Sequence, residues 1–350
     1  MSSFPQSYLF SIHDIPDAGR GVVAIEHIST RTHLLTAAEP YVNVILHEYQ
    51  REVCAYCFAY NAGRNHPIRN NEIGSSFCSD KCRAKFLELV EDDGIEALKA
   101  LHAFTKGKPE PTAETPDQGE VTPPTEEDIS AAWDVAEHTA TSIRAARTGS
   151  MRSKADSKLL RAAQSGPVSK SVLSLLLSGI LYRRLSASRW SYFESLVPDP
   201  RPYKSSAQLE THVRSYLQLL TLVSTSLLPM ATTEICMTMA SRDSWNSFGI
   251  RSTEDGGDEF FGWGVWPGAS FWNHSCDPNI GKERVGRAWK FWAAKEIMEG
   301  DELCISYLGG EEKELSVEER RRRLRATWGF ECRCRKCYVE ERATNIASNG

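Results

Sequence analysis

The sequence predicts an α+β protein, and three observations carry that prediction. Short β-branched and aromatic segments gather toward both ends of the chain, amphipathic helical segments fill its middle, and eight of ten cysteines fall into two groups of four. At 350 residues the chain is long enough for two domains or for one domain with insertions. It can bury a sizeable core without disulfides.

Taken in order, residues 8–12 read as a strand, 17–21 as a turn and 21–25 as a second strand, rich in β-branched residues. The glycines flanking Arg20 allow a sharp turn and the close approach of a ligand. Residues 33–46 hold two further short extended stretches. After the first cysteine group, residues 80–99 carry Phe86, Leu87, Val90, Ile95 and Leu98 at helical spacing, broken near Asp92, Asp93 and Gly94. Residues 106–127 are rich in Pro, Thr, Glu and Gly with almost nothing apolar, the composition of a solvated, disordered linker.

Helical patterns follow at 129–147 (Trp133, Ala136, Ala140, Ile143), from Pro167 to about 185, and at 206–228. A Ser/Lys/Arg-rich break separates the first two, and Pro167 suits the first turn of the second. From Asn246 onward the pattern returns to strands: 260–266, 289–294, a turn at 298–301, and 302–307. Residues 316–326 form a charged helix with Ser316 as N-cap and Glu318 and Glu319 in its first turn.

Composition excludes several classes. A net charge of −5 with both signs interspersed gives no basic stripe for nucleic acid. The first fifteen residues, with Pro5, His13 and Asp14, lack the apolar core of a secretory signal. The most apolar run, 172–182, is about half the ~20 residues that a bilayer-spanning helix needs. Arg320, Arg321, Arg322 and Arg323 read as a solvated helix face rather than a DNA-recognition element.

Cysteines carry the strongest chemical signal. Cys54-x2-Cys57 with Cys78-x3-Cys82 has the spacing of a four-thiolate zinc site, with a loop of about twenty residues between the pairs. His66, in that loop beside Pro67, reads as an exposed residue rather than a fifth ligand. Cys332, Cys334 and Cys337 are one ligand short of a tetrahedral site, and Cys276 supplies the fourth. Cys236 and Cys304 sit in apolar company and read as inert core thiols.

Cys276 lies within Asn273-His274-Ser275-Cys276-Asp277-Pro278-Asn279, and Tyr307 ends an apolar segment upstream of the cysteine triplet. This combination resembles the SET-domain protein lysine methyltransferases, in particular the SET-and-MYND type and its fungal relatives. Further matching residues are Gly19-Arg20-Gly21, Asn246-Ser247-Phe248, the run at 294–303, and Trp328-Gly329-Phe330-Glu331-Cys332. The resemblance covers both ends of the chain and leaves roughly 102–205 unmatched.

The resemblance implies a β-rich SET core of small sheets, threaded so that Asn273 and Tyr307 meet. Its organisation would be 1–53 and 231–310 as the two halves of the core, 54–100 as a reduced, one-zinc MYND-like insert, and 101–128 as linker. Residues 129–230 would be a helical insert and 311–340 a post-SET zinc segment. It implies two zinc ions and S-adenosyl-L-methionine as cofactors. Gly19, Arg20, Gly21, Asn246, Asn273, His274, Tyr307 and Phe330 would bind the latter. Tyr307 would be the catalytic residue and Trp328, where relatives often carry tyrosine, would line the lysine channel.

The implied partner is a protein with an exposed lysine, by analogy a histone tail, acted on by a monomer in the nucleus or cytoplasm with no direct contact to nucleic acid or membrane. The sequence runs on for about a dozen residues past Cys337, without the helical domain many relatives add there. A more open substrate side, or one formed by 129–228, is therefore expected. Two other readings compete: a catalytically inactive, zinc-stabilised SET-fold interaction module, and, more remotely, a zinc-finger DNA-binding protein.

Overall fold

A computed structural model describes residues 7–111, 122–252, 259–309 and 314–348. The strands are β1 (Phe10–Ile15), β2 (Gly19–Ala24), β3 (His33–Ala37), β4 (Val42–Ile45), β5 (Ile68–Asn70), β6 (Ser75–Phe77), β7 (Ser247–Arg251), β8 (Phe260–Val265), β9 (Asn273–His274), β10 (Ile280–Val285), β11 (Ala288–Ala293) and β12 (Cys304–Ile305). The helices are α1 (Asp80–Thr105), α2 (Glu126–Thr148), α3 (Lys154–Ala163), α4 (Lys170–Leu185), α5 (Ala187–Glu194), α6 (Ser206–Leu222), α7 (Thr233–Asn246), α8 (Val317–Trp328) and α9 (Arg335–Ser348). This is the mixed α+β architecture that the sequence predicts.

Contacts divide the chain into two units, Met1–Pro40 with Ser244–Asn246 and Trp266–Gly350, and Tyr41–Asp243 with Ser247–Val265. Each expected half of the core contributes to both units, because β4 pairs with β8 rather than with its chain neighbour β3.

In the first unit, β1 and β2 form a hairpin in which Ile15 faces Gly19, and Asp17 and Gly19 take positive φ at the turn. The antiparallel sheet β10-β11-β3 lies in the same unit. β12 runs parallel to β9, placing Cys304 opposite Asn273 and Ile305 opposite His274. Beneath this pair is an aromatic core: Phe10 and Phe291 flank Trp272 at centroid distances of 5.3 and 5.5 Å. Ser316 caps α8 as expected, accepting from the Glu319 amide, and Gly329 ends it in the left-handed conformation.

In the second unit, α2, α4 and α6 bury Trp133, Leu173, Leu176, Ile180, Tyr216 and Leu219. The three-stranded sheet β4-β8-β7 belongs to this unit. α1 breaks at Glu91 (φ 56°), one residue before the predicted interruption, and runs on to Thr105. The expected linker is correspondingly shorter: 101–105 and 126–128 are helical, and 112–121 lie outside the described residues.

The Ser/Lys/Arg-rich break is itself the helix α3, held by a reciprocal cap between Ser153 and Asp156. Pro167 is not in a first turn: Ser169 caps α4, which starts at Lys170, so the proline precedes the cap. Among the described residues no helix is long and apolar enough to cross a membrane.

Candidate active site and thiolate centres

The heptapeptide and the segment ending at Tyr307 are laced together in the first unit. Besides the β9–β12 pairing, the Ser275 amide donates to the Ile305 carbonyl at 2.9 Å. Asn279 clamps from the other side, its Oδ1 accepting from the Cys304 amide (2.8 Å) and its Nδ2 donating to the Glu302 carbonyl (2.9 Å). Asn273 Nδ2 donates to Glu302 Oε1 at 2.8 Å. These bonds hold Asn273 and Tyr307 on adjacent backbones.

Gly21 completes that contact. A β-carbon at Gly21 would sit 2.8 Å from both Asn273 Nδ2 and Glu302 Oε1, so the first glycine turn packs directly against the heptapeptide. Gly19 takes φ +71° with open space where a side chain would project, and the Arg20 guanidinium stands 5.4 Å from the Phe271 ring centroid. Asn246 is buried at the end of α7, where its carbonyl accepts from Ser270 Oγ at 3.1 Å.

Tyr307 is surrounded by rings. Its centroid lies 5.3 Å from His274, 5.0 Å from Trp328 and 6.3 Å from Phe330, and His274 lies 6.2 Å from Phe330. All four side chains are partly exposed. The Tyr307 hydroxyl donates to the Trp272 carbonyl at 2.8 Å. Burial pushes its phenol above the ordinary value, so it is a neutral hydroxyl at physiological pH, with its oxygen lone pairs still able to accept. Partly exposed aromatic faces beside amide and carboxylate groups suit a flat or cationic ligand.

Both cysteine groups gather. In each, the four sulfurs lie within 4.8 Å of one another: Cys54, Cys57, Cys78 and Cys82 in the second unit, and Cys276, Cys332, Cys334 and Cys337 in the first. Cys276 Sγ is 3.8 Å from Cys332 Sγ and 3.6 Å from Cys337 Sγ; Cys78 Sγ is 3.5 Å from both Cys57 and Cys82 Sγ. Zinc–sulfur bonds of about 2.3 Å in a tetrahedron place sulfurs about 3.8 Å apart, so both sets fit zinc. Hydrogen bonds from neighbouring thiols pull Cys54 down to about 4 and Cys337 to about 7, and lower Cys334 strongly. The same sharing of protons raises Cys57, Cys276 and Cys332, and burial raises Cys78, so a metal would have to displace the protons that these thiols hold.

The hairpin β5–β6 delivers Cys78, and Ser79 caps the helix that carries Cys82. His66 corrects the expectation of an exposed loop residue. It is buried, with Nε2 at 2.9 Å from the Ala59 carbonyl, and it is not part of the thiolate group. Cys236 and Cys304 are buried, with thiols pushed up by burial, as core residues should be.

Arg320 is a second correction. Rather than facing solvent, it is 1% exposed, donating to the Leu315 carbonyl (2.6 Å) and Glu340 (2.6 Å), with Nη2 3.6 Å from Cys337 Sγ. It fills the i+3 position of the stripe Val317, Arg320, Leu324, and that spacing was the available signal. Arg321 pairs with Glu341 through two bonds of 2.8 and 3.0 Å; Arg322 and Arg323 reach Glu319 on the outer face. Glu302, Asn279 and Trp272 also belong to the site and were not singled out. A carboxylate entering the apolar run Leu303-Cys304-Ile305 signals a group with a fixed partner.

Comparisons with known proteins address the family of the chain. The SET domain profile matches residues 19–308. The "Potential protein lysine methyltransferase SET6" of Saccharomyces cerevisiae is 24% identical over 366 residues, covering 95% of this chain and 96% of the yeast protein. The "Histone-lysine N-methyltransferase SET5" of Yarrowia lipolytica is 40% identical over 72 residues, 20% of this chain and 16% of that protein. The "Histone-lysine N-methyltransferase SMYD3" of Mus musculus is 38% identical over 101 residues, 29% and 22% respectively.

Proposed function

The chain belongs to the SET-domain family, and on that footing we propose that it is an S-adenosylmethionine-dependent protein-lysine N-methyltransferase. The observation that carries the reading is the Tyr307 hydroxyl, tied to the Trp272 carbonyl within a ring of His274, Trp328 and Phe330.

When bound, S-adenosylmethionine supplies a methyl group already activated on a sulfonium. Asn273 and the backbone of His274 would hold its amino and adenine groups, Gly19, Arg20 and Gly21 its methionine end, and Phe330 its adenine face, with Asn246 behind them. Tyr307 orients the incoming amine by accepting from it, because its own proton is committed to the Trp272 carbonyl. Alignment of this kind can contribute about 7–11 kcal/mol. A lysine with pKa about 10.4 costs roughly 4–5 kcal/mol to neutralise at pH 7, and desolvation beside Trp328 and Phe330 lowers that cost. No strong general base is needed. Each four-cysteine set would hold one structural zinc.

The substrate would be a protein lysine in the nucleus or cytoplasm, compartments where thiolate sites stay reduced. Histones are the first substrates to try, since relatives carry that name. An inactive SET-fold module is the second reading, favoured by the Trp328 indole packed 5.0 Å from Tyr307. The test is incubation with methyl-labelled S-adenosylmethionine and cell extract, followed by mass-spectrometric location of the label. Label on lysine side chains supports the enzyme. Cofactor binding by calorimetry with no label transferred supports the module.

A further inference from the structure

The His274 imidazole sits between the late thiolate group and Tyr307, and both its nitrogens are engaged. The Tyr307 amide donates to Nδ1 at 3.1 Å, and Nε2 lies 3.2 Å from Cys276 Sγ. A backbone N–H can only donate, so Nδ1 carries the lone pair and the ring proton of the neutral imidazole is on Nε2. That proton points at Cys276 Sγ. Held on a zinc ion, Cys276 would be a thiolate with no proton of its own, a good acceptor for this N–H.

We propose that His274 is a positioning residue that couples metal occupancy of Cys276, Cys332, Cys334 and Cys337 to the placement of Tyr307. With the thiolate fixed, the ring is held at Nε2 and presents Nδ1 to the Tyr307 amide. With the metal gone, Cys276 is no longer pinned in place, the ring loses its anchor, and the Tyr307 amide loses a fixed acceptor. The β9–β12 pairing and the Ser275 and Asn279 bonds fix the backbone as far as Ile305, two residues before Tyr307, whose amide is held by His274. The inference deepens the methyltransferase reading, since it matters for catalysis only if Tyr307 is catalytic, but its geometry does not depend on methyl transfer.

The two ends of the imidazole can be replaced separately. Asparagine places an acceptor near the position of Nδ1 without reaching the sulfur, whereas glutamine places an N–H near the position of Nε2 without serving the amide. In the full-length zinc-loaded chain, two quantities are read: chelator-driven zinc loss from the late site, and hydrogen exchange of the Tyr307 amide. In the unsubstituted protein, chelation should speed exchange of that amide at least tenfold.

His274→Asn should keep the amide protected in the loaded protein and weaken metal retention about 10–100-fold, the range for loss of a group supporting a ligand. That protection should no longer follow chelation. His274→Gln should retain metal near the unsubstituted level while the amide exchanges freely. Replacing zinc by cobalt adds a signature, since loss of the hydrogen bond to Cys276 shifts the thiolate charge-transfer band in His274→Asn but not in His274→Gln. If both variants behave alike on both readouts, or if chelation leaves Tyr307 exchange unchanged, the coupling is refuted. Methyl transfer absent with coupling intact would overturn the enzyme reading alone. Methyl transfer intact with coupling absent would overturn this inference alone.

Discussion

Replacing Gly21 by alanine should damage the proposed cofactor pocket through its neighbours. The new methyl would lie 2.5 Å from Ile15 Cγ1 and 2.8 Å from both Asn273 Nδ2 and Glu302 Oε1. Ordinary carbon contacts are about 3.5–4.0 Å, so each neighbour must retreat by about 1 Å. Ile15 ends the β1 strand, half-buried, and can rotate for about 1 kcal/mol. Asn273 and Glu302 are bonded to each other at 2.8 Å, and Asn273 is paired to β12 through its backbone, so they cannot both yield freely.

Overpacking of this kind costs about 1–3 kcal/mol, and breaking a hydrogen bond to a charged carboxylate about 1.5–3 more. At about 2–4 °C per kcal/mol for a domain of 150–250 residues, Gly21→Ala should melt lower by about 5 °C at the least and about 24 °C at the most. Displacing Asn273 by that strain should also weaken S-adenosylmethionine at least about tenfold, equivalent to 1.4 kcal/mol. Calorimetric titration and thermal unfolding read both quantities. Adding Glu302→Ala should recover part of the Gly21→Ala penalty, with a coupling of at least about 0.5 kcal/mol. A Gly21→Ala protein that melts and binds like the parent would refute the packed contact.

Other expectations follow from the same contacts. Arg320→Met keeps the volume but removes the bonds to Leu315, Glu340 and Cys337; unfolding should come about 2–3 kcal/mol earlier, with faster metal loss to a chelator. Chelation of both sites should abolish transfer, and zinc re-addition should restore it, because no catalytic group is removed. The Asp243 carboxyl is raised from 3.8 to about 6 by burial, against the hydrogen bonds from Ser247 and Trp263 that lower it. Its contribution to stability is full below 3.8 and lost as pH rises through about 6. Asp243→Asn should therefore gain on the parent between pH 5 and pH 7.5 by about 1.4 kcal/mol, in denaturant midpoints. A gap that does not change with pH would remove burial as the cause.

What the sequence disclosed divides along physical lines. Segments whose own pattern is strong were legible: the β1–β2 turn, the helices α2 and α6, the Ser316 cap and both cysteine groups. α3 was hidden because Leu160 is its only buried residue, and its stability rests on the cap between Ser153 and Asp156 rather than on an apolar stripe. β10 carries lysine, glutamate and arginine in its middle and buries only Ile280, so nothing in its composition marks a strand. β9 and β12 pair over two residues each and exist through a long-range contact that no window reports.

Within the site, the motif residues were readable from the order and spacing of the family's blocks, whereas the roles of Arg320 and of Glu302 and Asn279, which lie inside those blocks, were not. Their roles come from partners 17 to 29 residues away, Glu340 and Cys337 for Arg320 and Asn273 for Glu302, with the Asn279–Cys304 bond between those limits.

The decisive comparison is Tyr307→Phe against the unsubstituted chain, with S-adenosylmethionine affinity and methyl transfer to lysine measured on the same preparations. Removing the hydroxyl leaves the rings of His274, Trp328 and Phe330 in place but deprives the incoming amine of its acceptor and the Trp272 carbonyl of its donor. Affinity within about threefold of the parent, with transfer reduced at least about a thousandfold, is the expected result; the latter corresponds to some 4 kcal/mol of transition-state stabilisation. Undiminished transfer by the phenylalanine protein would contradict the assignment of Tyr307 and the mechanism built on it.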